Sequence, residues 1–301
     1  MSGGSGAERF RSPLRYPGGK GKIANYLKLL ILSNDLPGCD YIEPYAGGAG
    51  AALALLFEEY VDRIHINDLD PGVYAFWRAV LDEPQELIER IRRVDVTMDE
   101  WHQQRALQAS RDTTQHDLAF STFFLNRTNR SGIITGGPIG GVRQSGKWRL
   151  DARFNKPDLI QRIERIARFR NRIQATNLDA LHLLTGYEAD RSGSHRLLYA
   201  DPPYYVRGAE LYRNSYGPSD HASVATALQA ITSPWVVSYD NVDDVLSLYQ
   251  GCDRIEYSLS YSAATRHRGS EVMFVRRGLR LPQVESPANI PLAYISSVRT
   301  A

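Results

Sequence analysis

A strand that runs into a glycine-rich turn and then into an apolar helix is the feature that most constrains this sequence. Tyr41 and Ile42 are followed by Glu43-Pro44-Tyr45-Ala46-Gly47-Gly48-Ala49-Gly50, and residues 51–57 then form an uninterrupted apolar run. A second apolar stretch, residues 64–66, ends at Asn67-Asp68. Strands that alternate with helices in this way are typical of α/β folds with a parallel sheet.

Two later strands extend the same pattern. Residues 197–200 lead directly into Asp201-Pro202-Pro203-Tyr204, and residues 235–238 precede Asp240-Asn241. Between them, Ser219-Asp220 is predicted to cap a helix that runs to about Ile231. Open α/β sheets bind ligands at the carboxyl ends of their parallel strands, so we expect the functional site in the segments that follow these strands.

The middle of the chain differs from its two ends in hydrophobic periodicity and composition. The pattern is mostly helical from residue 73 to Leu125, whereas residues 126–149 are rich in glycine and basic residues and predict a loop or hairpin. We interpret residues 73–155 as an insertion into a sheet domain made of residues 11–72 and 156–301, with residues 1–10 as a flexible leader. Helical periodicity resumes over Asp158–Ile173.

Composition limits the classes of protein to consider. Hydrophobic residues make up 43% and charged residues 23% of the chain. No apolar run approaches the roughly 20 residues of a membrane-spanning helix, so we expect a soluble protein without membrane contact. Cys39 and Cys252 are the two cysteines, too few for a disulfide framework and wrongly spaced for zinc, which favours a cytoplasmic protein without a metal site. The net charge of +2 permits a nucleic-acid partner without requiring one.

The motif Asp201-Pro202-Pro203-Tyr204 suits one reaction in particular. The exocyclic amine of adenine is a poor nucleophile because its lone pair is delocalised, and attack on a methyl group needs that nitrogen to become pyramidal. Two acceptors aimed at its N–H bonds favour that geometry, and the carboxylate of Asp201 and the carbonyl of Pro202 can supply them. The ring of Tyr204 offers a flat face to an unstacked base. As an isolated tetrapeptide, the motif fits an ordinary turn equally well.

The glycine turn and Asp68 indicate a cofactor that carries adenosine. Gly47, Gly48 and Gly50 let a ligand approach the backbone. Asp68 ends the next strand, near the roughly 20-residue offset at which an acidic side chain reaches ribose hydroxyls in nucleotide-binding α/β folds. Leu53 stands where a dinucleotide fingerprint has its third glycine, so no pyrophosphate is expected. The alternatives are close helix–strand packing for the glycines and a strand-end turn for Asp68.

A further motif, Arg15-Tyr16-Pro17-Gly18-Gly19-Lys20, precedes these segments. Taken in order with the glycine turn, Asn67-Asp68, the Asp-Pro-Pro-Tyr motif and Glu271-Val272-Met273-Phe274-Val275, it resembles the DNA adenine methylases whose cofactor-binding half comes first and whose target-recognition insertion lies in the middle. The resemblance covers nearly the whole chain. It implies a Rossmann-like methyltransferase sheet with helices on both faces, and a mostly helical inserted target-recognition region with a basic hairpin. It also implies direct methyl transfer from S-adenosylmethionine to the N6 amine of an adenine flipped out of double-stranded DNA.

The resemblance implies roles for individual residues. Tyr16, Lys20, Asp68 and Asp201 are expected to touch S-adenosylmethionine, while Asp201, Pro202 and Tyr204 form the catalytic set. Tyr16 stands where some relatives carry tryptophan, which should preserve stacking. Asp179 resembles, on a shorter match, the family's acidic position near the cofactor adenine. The expected cofactor contacts are Tyr16, Lys20, Glu43, Pro44, Tyr45, Ala46, Gly47, Gly48, Gly50, Asp68, Asp179 and Asp201.

A basic and polar segment of the insertion is expected to contact DNA. Residues 126–132 and 143–149 combine arginine and lysine, which bind phosphate, with amide and hydroxyl side chains that can read base edges. They resemble the family's DNA-contacting hairpin, and a solvated loop has a similar composition. The expected DNA contacts are Asn126, Arg127, Asn129, Arg130, Arg143, Gln144, Lys147 and Arg149.

Two other functions fit the same residues. The acceptor of the methyl group could be cytosine N4 or an amine in RNA, since Asp-Pro-Pro-Tyr addresses an exocyclic amine rather than one base. The chain could also be a DNA-binding subunit without catalysis, although the presence of both Asp68 and Asp201 favours an enzyme. We expect a bacterial or phage-encoded enzyme that is a monomer in solution. The sequence leaves the recognition site open.

Overall fold

The computed structural model describes residues 12–16, 20–187, 195–206, 216–260 and 268–299, and within them the chain forms seven strands and eleven α-helices. The strands, numbered in chain order, are β1 (Cys39–Glu43), β2 (Val61–Asn67), β3 (Ile173–Thr176), β4 (Arg196–Ala200), β5 (Trp235–Asp240), β6 (Asp253–Ser260) and β7 (Arg268–Val275). The helices are α1 (Ala24–Ser33), α2 (Gly50–Phe57), α3 (Pro71–Asp82), α4 (Pro84–Arg93), α5 (Met98–Ala109), α6 (Gln115–Thr128), α7 (Lys156–Arg168), α8 (Ala180–Tyr187), α9 (Pro218–Ala230), α10 (Asp243–Leu248) and α11 (Leu292–Arg299). The predicted leader, residues 1–10, lies outside the described residues.

The chain divides into two units. The first comprises Met1–Gly19 and Asp70–Asn177, and the second comprises Lys20–Leu69 and Leu178–Ala301. The predicted insertion, residues 73–155, lies within the first unit. That unit also takes in residues 156–177, which the sequence analysis assigned to the sheet domain.

Six strands of the second unit form one mixed sheet in the order β2-β1-β4-β5-β7-β6. β1 pairs in parallel with β2 and β4, and β4 pairs in parallel with β5, whereas β7 is antiparallel to both β5 and β6. The carboxyl ends of the four parallel strands therefore share one edge of the sheet. β7 enters the sheet at that edge, because Glu271 lies opposite Asp240 at the end of β5.

Helices cover both faces of this sheet. Leu198, Ala200 and Val237 belong to a buried cluster that also contains side chains of α8, α9 and α10. Their neighbours Leu197 and Tyr199 point to the opposite face because side chains alternate along a strand. α2 packs against β1 and β2, and α1 packs against α2 and α11. Right-handed crossovers that leave the sheet centre in opposite directions place their helices on opposite faces, which gives a Rossmann-like α/β fold.

The predicted strands are all present in the second unit, each slightly longer than its apolar run. The helix cap predicted at Ser219-Asp220 lies two residues earlier, because α9 begins at Pro218 and Gly217 is its N-cap. Asp220 is the third residue of the helix, and its side chain accepts the Gly217 N–H at 2.8 Å. In the first unit, the helix predicted to reach Ile173 ends at Arg168. A short 3-10 turn follows, and Ile173 is extended and begins β3. Its apolar side chain fits both periodicities, which is why the sequence did not separate them.

The first unit is centred on α6, which packs against α3 and α5. Phe76 of α3 stacks on Phe123 of α6, with ring centroids 5.8 Å apart, and Phe154 packs edge-on against Phe123 at 5.5 Å. α3 starts at Asp70, whose Oδ1 accepts the N–H groups of Gly72 and Val73, as expected of an N-cap followed by proline. α7 packs against α3 and α4, and this contact places residues 156–168 in the first unit.

None of the helices in the described residues is long and apolar enough to cross a membrane.

Candidate active site

The expected cofactor turn follows β1 and is held in shape by the end of β2. The backbone is left-handed at Gly47 (φ 48°) and at Ala49 (φ 47°), a conformation that glycine adopts readily and alanine rarely does. Asp68 Oδ2 accepts the Gly47 N–H at 2.8 Å, and the Asn67 carbonyl accepts the Ala46 N–H at 2.8 Å. Asn67, the last residue of β2, and Asp68, which follows it, therefore fix the turn through its backbone.

Glu43 ends β1 and is buried. Its Oε1 accepts the Tyr41 hydroxyl at 2.9 Å and the Ala52 N–H, in the first turn of α2, at 3.0 Å. The pKa of Glu43 is raised to about 8, mainly by burial and also by the nearby carboxylate of Asp201, while the two hydrogen bonds act in the opposite direction. These contacts are with the protein itself, so Glu43 supports the glycine turn from inside, and its expected cofactor contact stays a prediction.

Asn67 joins the cofactor turn to the segment that precedes α8. Its Nδ2 donates to the carbonyls of Pro44 (2.9 Å) and Leu178 (3.0 Å), and its Oδ1 accepts the Leu178 N–H at 2.9 Å. The next residue, Asp179, is exposed, and its Oδ1 accepts the Leu181 N–H at 2.8 Å. Asn67 thus holds the backbone that carries Asp179 next to the backbone of the glycine turn.

The Asp-Pro-Pro-Tyr motif follows β4 directly, between the ends of β1 and β5. Asp201 is half-buried, Pro202 and Pro203 are buried, and Tyr204 is half-buried. The negative charge of Asp201 acts on Glu43 and also contributes to the raised pKa values of Tyr41 and Tyr199, both of which rise mainly through burial. The carboxylate therefore lies close to the end of β1, where the cofactor turn begins.

Two acids that sequence reasoning left without a role support this motif. Glu271 of β7 accepts the Tyr204 hydroxyl at 2.9 Å, and Asp240 at the end of β5 accepts the N–H groups of Tyr205 (2.8 Å) and Val206 (3.1 Å). A charged residue inside the apolar run Glu271–Val275 signals a buried acid. The sequence does not reveal its partner, because that depends on the pairing register of β7.

Aromatic side chains connect the segment after β1 with the segment after β4 in the second unit. The hydroxyls of Tyr45 and Tyr216 are 3.2 Å apart, and His221 packs against both Tyr216 (5.4 Å between centroids) and Tyr205 (5.0 Å). His221 Nδ1 lies 3.1 Å from the Tyr239 hydroxyl. Burial lowers the pKa of His221. The segment after β1 and the segment after β4 thus share one packed support.

The Arg15-to-Lys20 motif is described only in part. Pro17, Gly18 and Gly19 lie outside the described residues, as does the side chain of Lys20. The 3-10 turn Lys20–Lys22 lies beside the start of α2, since the Gly21 nitrogen is 3.5 Å from where a Cβ on Gly50 would stand. Tyr16 is half-buried and belongs to the first unit. The cofactor contacts of Tyr16 and Lys20 stay predictions.

Three of the expected DNA contacts are buried in the first unit and bind its backbone. Asn126 bonds both backbone polar groups of Arg15, each at 2.7 Å. Asn129 accepts the Trp101 indole N–H at 2.7 Å and donates to two carbonyls of the following turn. Arg127 donates to the Arg153 carbonyl, and its pKa is lowered to about 9, mainly by burial and then by the charges of neighbouring arginines. These three side chains therefore support the first unit, and their direct contact with DNA stays a prediction.

Gln144 also supports the loop. Its Nε2 donates to the carbonyls of Ile139 and Gly141 at 2.7 Å, and its Oε1 accepts the Leu150 N–H at 2.8 Å. The remaining four expected DNA contacts are exposed: Arg130, Arg143, Lys147 and Arg149. An open cleft on this loop is lined by Arg130, Lys147 and the exposed ring of Trp148. The four basic side chains are exposed and positively charged, as phosphate contacts require.

Comparisons with known proteins supply the family. The model of the D12 class N6 adenine-specific DNA methyltransferases matches residues 16–266. Among solved structures, the chain is similar to the rRNA methyltransferase AviRa from Streptomyces viridochromogenes, with 11% identity, a TM-score of 0.36, and coverage of 83% of this chain and 81% of that one. It is also similar to a putative class I S-adenosylmethionine-dependent methyltransferase from Listeria monocytogenes, with 10% identity, a TM-score of 0.39, and coverage of 99% and 72%.

Similarity this low assigns no substrate to the chain, and the search of curated proteins found no match. The family model spans the glycine turn, Asn67-Asp68 and the Asp-Pro-Pro-Tyr motif, which the second unit carries at one edge of its sheet. The chain belongs to the D12 class of N6 adenine-specific DNA methyltransferases, enzymes that take their methyl group from S-adenosylmethionine.

Proposed function

We propose that the carboxyl edge of the sheet in the second unit is the methyl-transfer site, and that it acts on an adenine flipped out of double-stranded DNA at a specific sequence. The observation that carries the proposal is the position of Asp201. It follows β4, the direct neighbour of β1, and its charge acts on Glu43 at the start of the cofactor turn. A base held by Asp201 would therefore lie next to a cofactor held by that turn.

The residues at this edge fit S-adenosylmethionine. The left-handed positions at Gly47 and Ala49 shape a turn that approaches a ligand with backbone. Asp68 and Asp201 place two carboxylates near the turn, which suits a sulfonium cation. Asp68 and the turn would hold the nucleoside portion, with Asp179 near its base. When bound, the cofactor supplies an electrophilic methyl group.

The chain's own residues would position the acceptor. Asp201 and the Pro202 carbonyl would accept the two N–H bonds of the adenine amine, which leaves the nitrogen lone pair free to point at the methyl group. As the nitrogen gains positive character, the carboxylate of Asp201 stabilises it. Tyr204 would stack on the base and offset part of the few kcal/mol that unstacking and unpairing cost. No protein nucleophile is needed.

The family assignment favours adenine N6 in DNA over the alternatives of cytosine N4, RNA or a silent subunit. A direct test uses S-adenosylmethionine with a labelled methyl group, separate pools of duplex DNA and RNA, and digestion to nucleosides. We expect label on N6-methyladenine from DNA. Label on cytosine, or on RNA alone, would overturn the acceptor assignment.

The protein is expected to be a monomer in solution, and light scattering with and without DNA tests this. The cytoplasmic location and the bacterial or phage origin stay predictions.

Asp201→Ala tests the site itself. We expect a loss of turnover of about 100-fold or more, since removal of one positioned transition-state contact has effects of that size. Asp40→Ala is the matched control, because Asp40 is an exposed acid at the start of β1, at the opposite edge of the sheet. Equal product from Asp201→Ala and wild type would dismiss the proposed site.

Base flipping is tested after the recognition sequence is found by modification-sensitive sequencing of methylated DNA. A duplex with 2-aminopurine at the target position should brighten on binding, because the probe leaves its quenching stack. No change at the target, with normal methylation of the adenine substrate, would contradict flipping.

A further inference from the structure

Glu271 uses both carboxylate oxygens on tyrosine hydroxyls. Oε1 accepts the Tyr204 hydroxyl at 2.9 Å, and Oε2 accepts the Tyr257 hydroxyl at 3.0 Å. Glu271 is only 1% exposed, and Tyr257 lies directly opposite it on β6. The acid is therefore anchored on one side by the sheet and presents its other oxygen to the last residue of the Asp-Pro-Pro-Tyr motif.

Asp240 stands directly opposite Glu271 on the other neighbouring strand, β5. It accepts the N–H groups of Tyr205 and Val206, the two residues that follow Tyr204. Two acids at directly opposed positions of an antiparallel pair repel each other. Here four donors, two hydroxyls and two N–H groups, offset that repulsion, and three of them belong to Tyr204, Tyr205 and Val206.

The two acids act on different parts of the loop. Asp240 fixes the backbone after the motif, which leaves the Tyr204 ring to turn about its own side-chain bonds. The hydroxyl bond to Glu271 fixes the far end of the side chain, and so opposes rotation about the Cα–Cβ bond. A ring held at both ends keeps its long axis in one position.

We propose that Glu271 is a positioning residue that fixes the position of the Tyr204 ring, and thereby the placement of the adenine amine relative to the methyl group. This inference rests on the proposed function, in which Tyr204 stacks on the flipped base. Glu271 does not touch the base. Its effect on the reaction passes through the Tyr204 hydroxyl.

A double-mutant cycle tests that route. Tyr204→Phe removes the hydroxyl and keeps the ring, and Glu271→Leu removes both acceptors at similar size. We expect each to lower kcat by about 10- to 100-fold, since misplacement by about 1 Å has effects of that order, with the dissociation constant for S-adenosylmethionine within about twofold of wild type. The double variant should be no slower than the slower single variant. A double variant whose loss equals the product of the two single losses overturns the inference.

Two further variants separate positioning from folding. Glu271→Gln keeps one acceptor oxygen and should restore part of the kcat lost in Glu271→Leu. Tyr257→Phe removes a second hydroxyl donor to Glu271 and should leave kcat closer to wild type than Tyr204→Phe does. If Glu271→Leu does not fold, the same cycle is run with Glu271→Gln, and multiplicative losses there overturn the inference.

The two proposals fail in different ways. If Tyr204→Ala turns over like wild type, stacking by Tyr204 and with it the proposed function of the motif is wrong. If Tyr204→Ala is slow while Tyr204→Phe and Glu271→Leu both turn over like wild type, the proposed function stands and the role of Glu271 is wrong.

Discussion

The carboxamide of Asn67 pairs with both backbone polar groups of Leu178, donating to its carbonyl at 3.0 Å and accepting its N–H at 2.9 Å. Its Nδ2 also donates to the Pro44 carbonyl at 2.9 Å. One buried side chain at the end of β2 therefore ties the segment before Asp179 to the cofactor turn. If both segments hold S-adenosylmethionine, Asn67 sets the distance between two parts of its site.

Asn67→Ala should weaken cofactor binding. The change removes three hydrogen bonds, of which the one to the buried Pro44 carbonyl should cost about 1–3 kcal/mol, and a loss of about 1.4 kcal/mol in binding corresponds to a tenfold weaker affinity. We expect titration calorimetry to give a dissociation constant at least about tenfold above wild type.

Asn34→Ala is the matched control for Asn67→Ala. Asn34 pairs in the same way with both backbone polar groups of Arg280 (2.9 and 2.7 Å) and also donates to the Leu30 carbonyl. It follows α1 and precedes β1, so it lies away from the carboxyl edge. It should lose stability without losing affinity. An equal loss of affinity in both variants would show that the effect of Asn67 is general destabilisation.

The sequence predicted where the site lies better than it predicted how the site is held. The ends of β1, β2 and β4 were visible because short apolar runs stop at Glu43, Asn67 and Asp201, and strand ends are where such folds bind ligands. Glu271 contacts Tyr204, which lies 67 positions earlier in the sequence. That pairing needs the register of β7 against β5, which alternation alone does not fix.

In the basic loop, the residue types were visible in the sequence but their use was not. Asn126, Arg127, Asn129 and Gln144 have the residue types of base and phosphate readers, yet their donors are used on nearby carbonyls. A glycine-rich turn leaves backbone groups without a regular ladder, and polar side chains satisfy them. Composition does not distinguish that use from DNA reading.

The stability of the protein should fall with rising pH because of Glu43. Burial raises the pKa of Glu43 to about 8 in the folded chain, from 4.5. Between these values the folded chain keeps a proton that the unfolded chain has lost, so the free energy of unfolding decreases as pH rises through this window. The contribution is complete below the lower value and lost above the upper one.

Glu43→Gln removes this titration while keeping an acceptor for Tyr41 and Ala52. Urea unfolding at about pH 5 and about pH 8.5 should show a smaller pH dependence in the variant than in wild type. Asp40 is an exposed acid on the same strand, and Asp40→Asn serves as the control. In this variant the unfolding free energy should depend on pH as it does in wild type. An unchanged slope in Glu43→Gln would show that Glu43 is not the group responsible.

Asn129 should matter to the folding of the first unit. Asn129→Ala leaves the buried Trp101 indole N–H and the carbonyls of Ile133 and Ile134 without this partner. We expect a loss of about 1–3 kcal/mol or more in the free energy of unfolding, measured by urea denaturation. Thr113→Ala, a change at a side chain outside the core, should cost less. A DNA-binding defect in Asn129→Ala at unchanged stability would instead support the predicted direct contact of Asn129 with DNA.

Arg143 and Gln144 are adjacent in the basic loop, yet they should behave in opposite ways when each is changed to alanine. Arg143 is exposed, so Arg143→Ala should leave the unfolding free energy within about 0.5 kcal/mol of wild type. If Arg143 binds one phosphate, the slope of log affinity against log salt concentration should become shallower by about 0.9. Gln144→Ala removes three hydrogen bonds that close the loop and should lower stability with no defined phosphate lost. Fluorescence anisotropy on one duplex at several salt concentrations, with urea unfolding of the same samples, separates the two effects. Equal salt slopes in wild type and Arg143→Ala would show that Arg143 does not bind a phosphate, because each phosphate neutralised by a basic side chain releases a counterion and contributes to the slope.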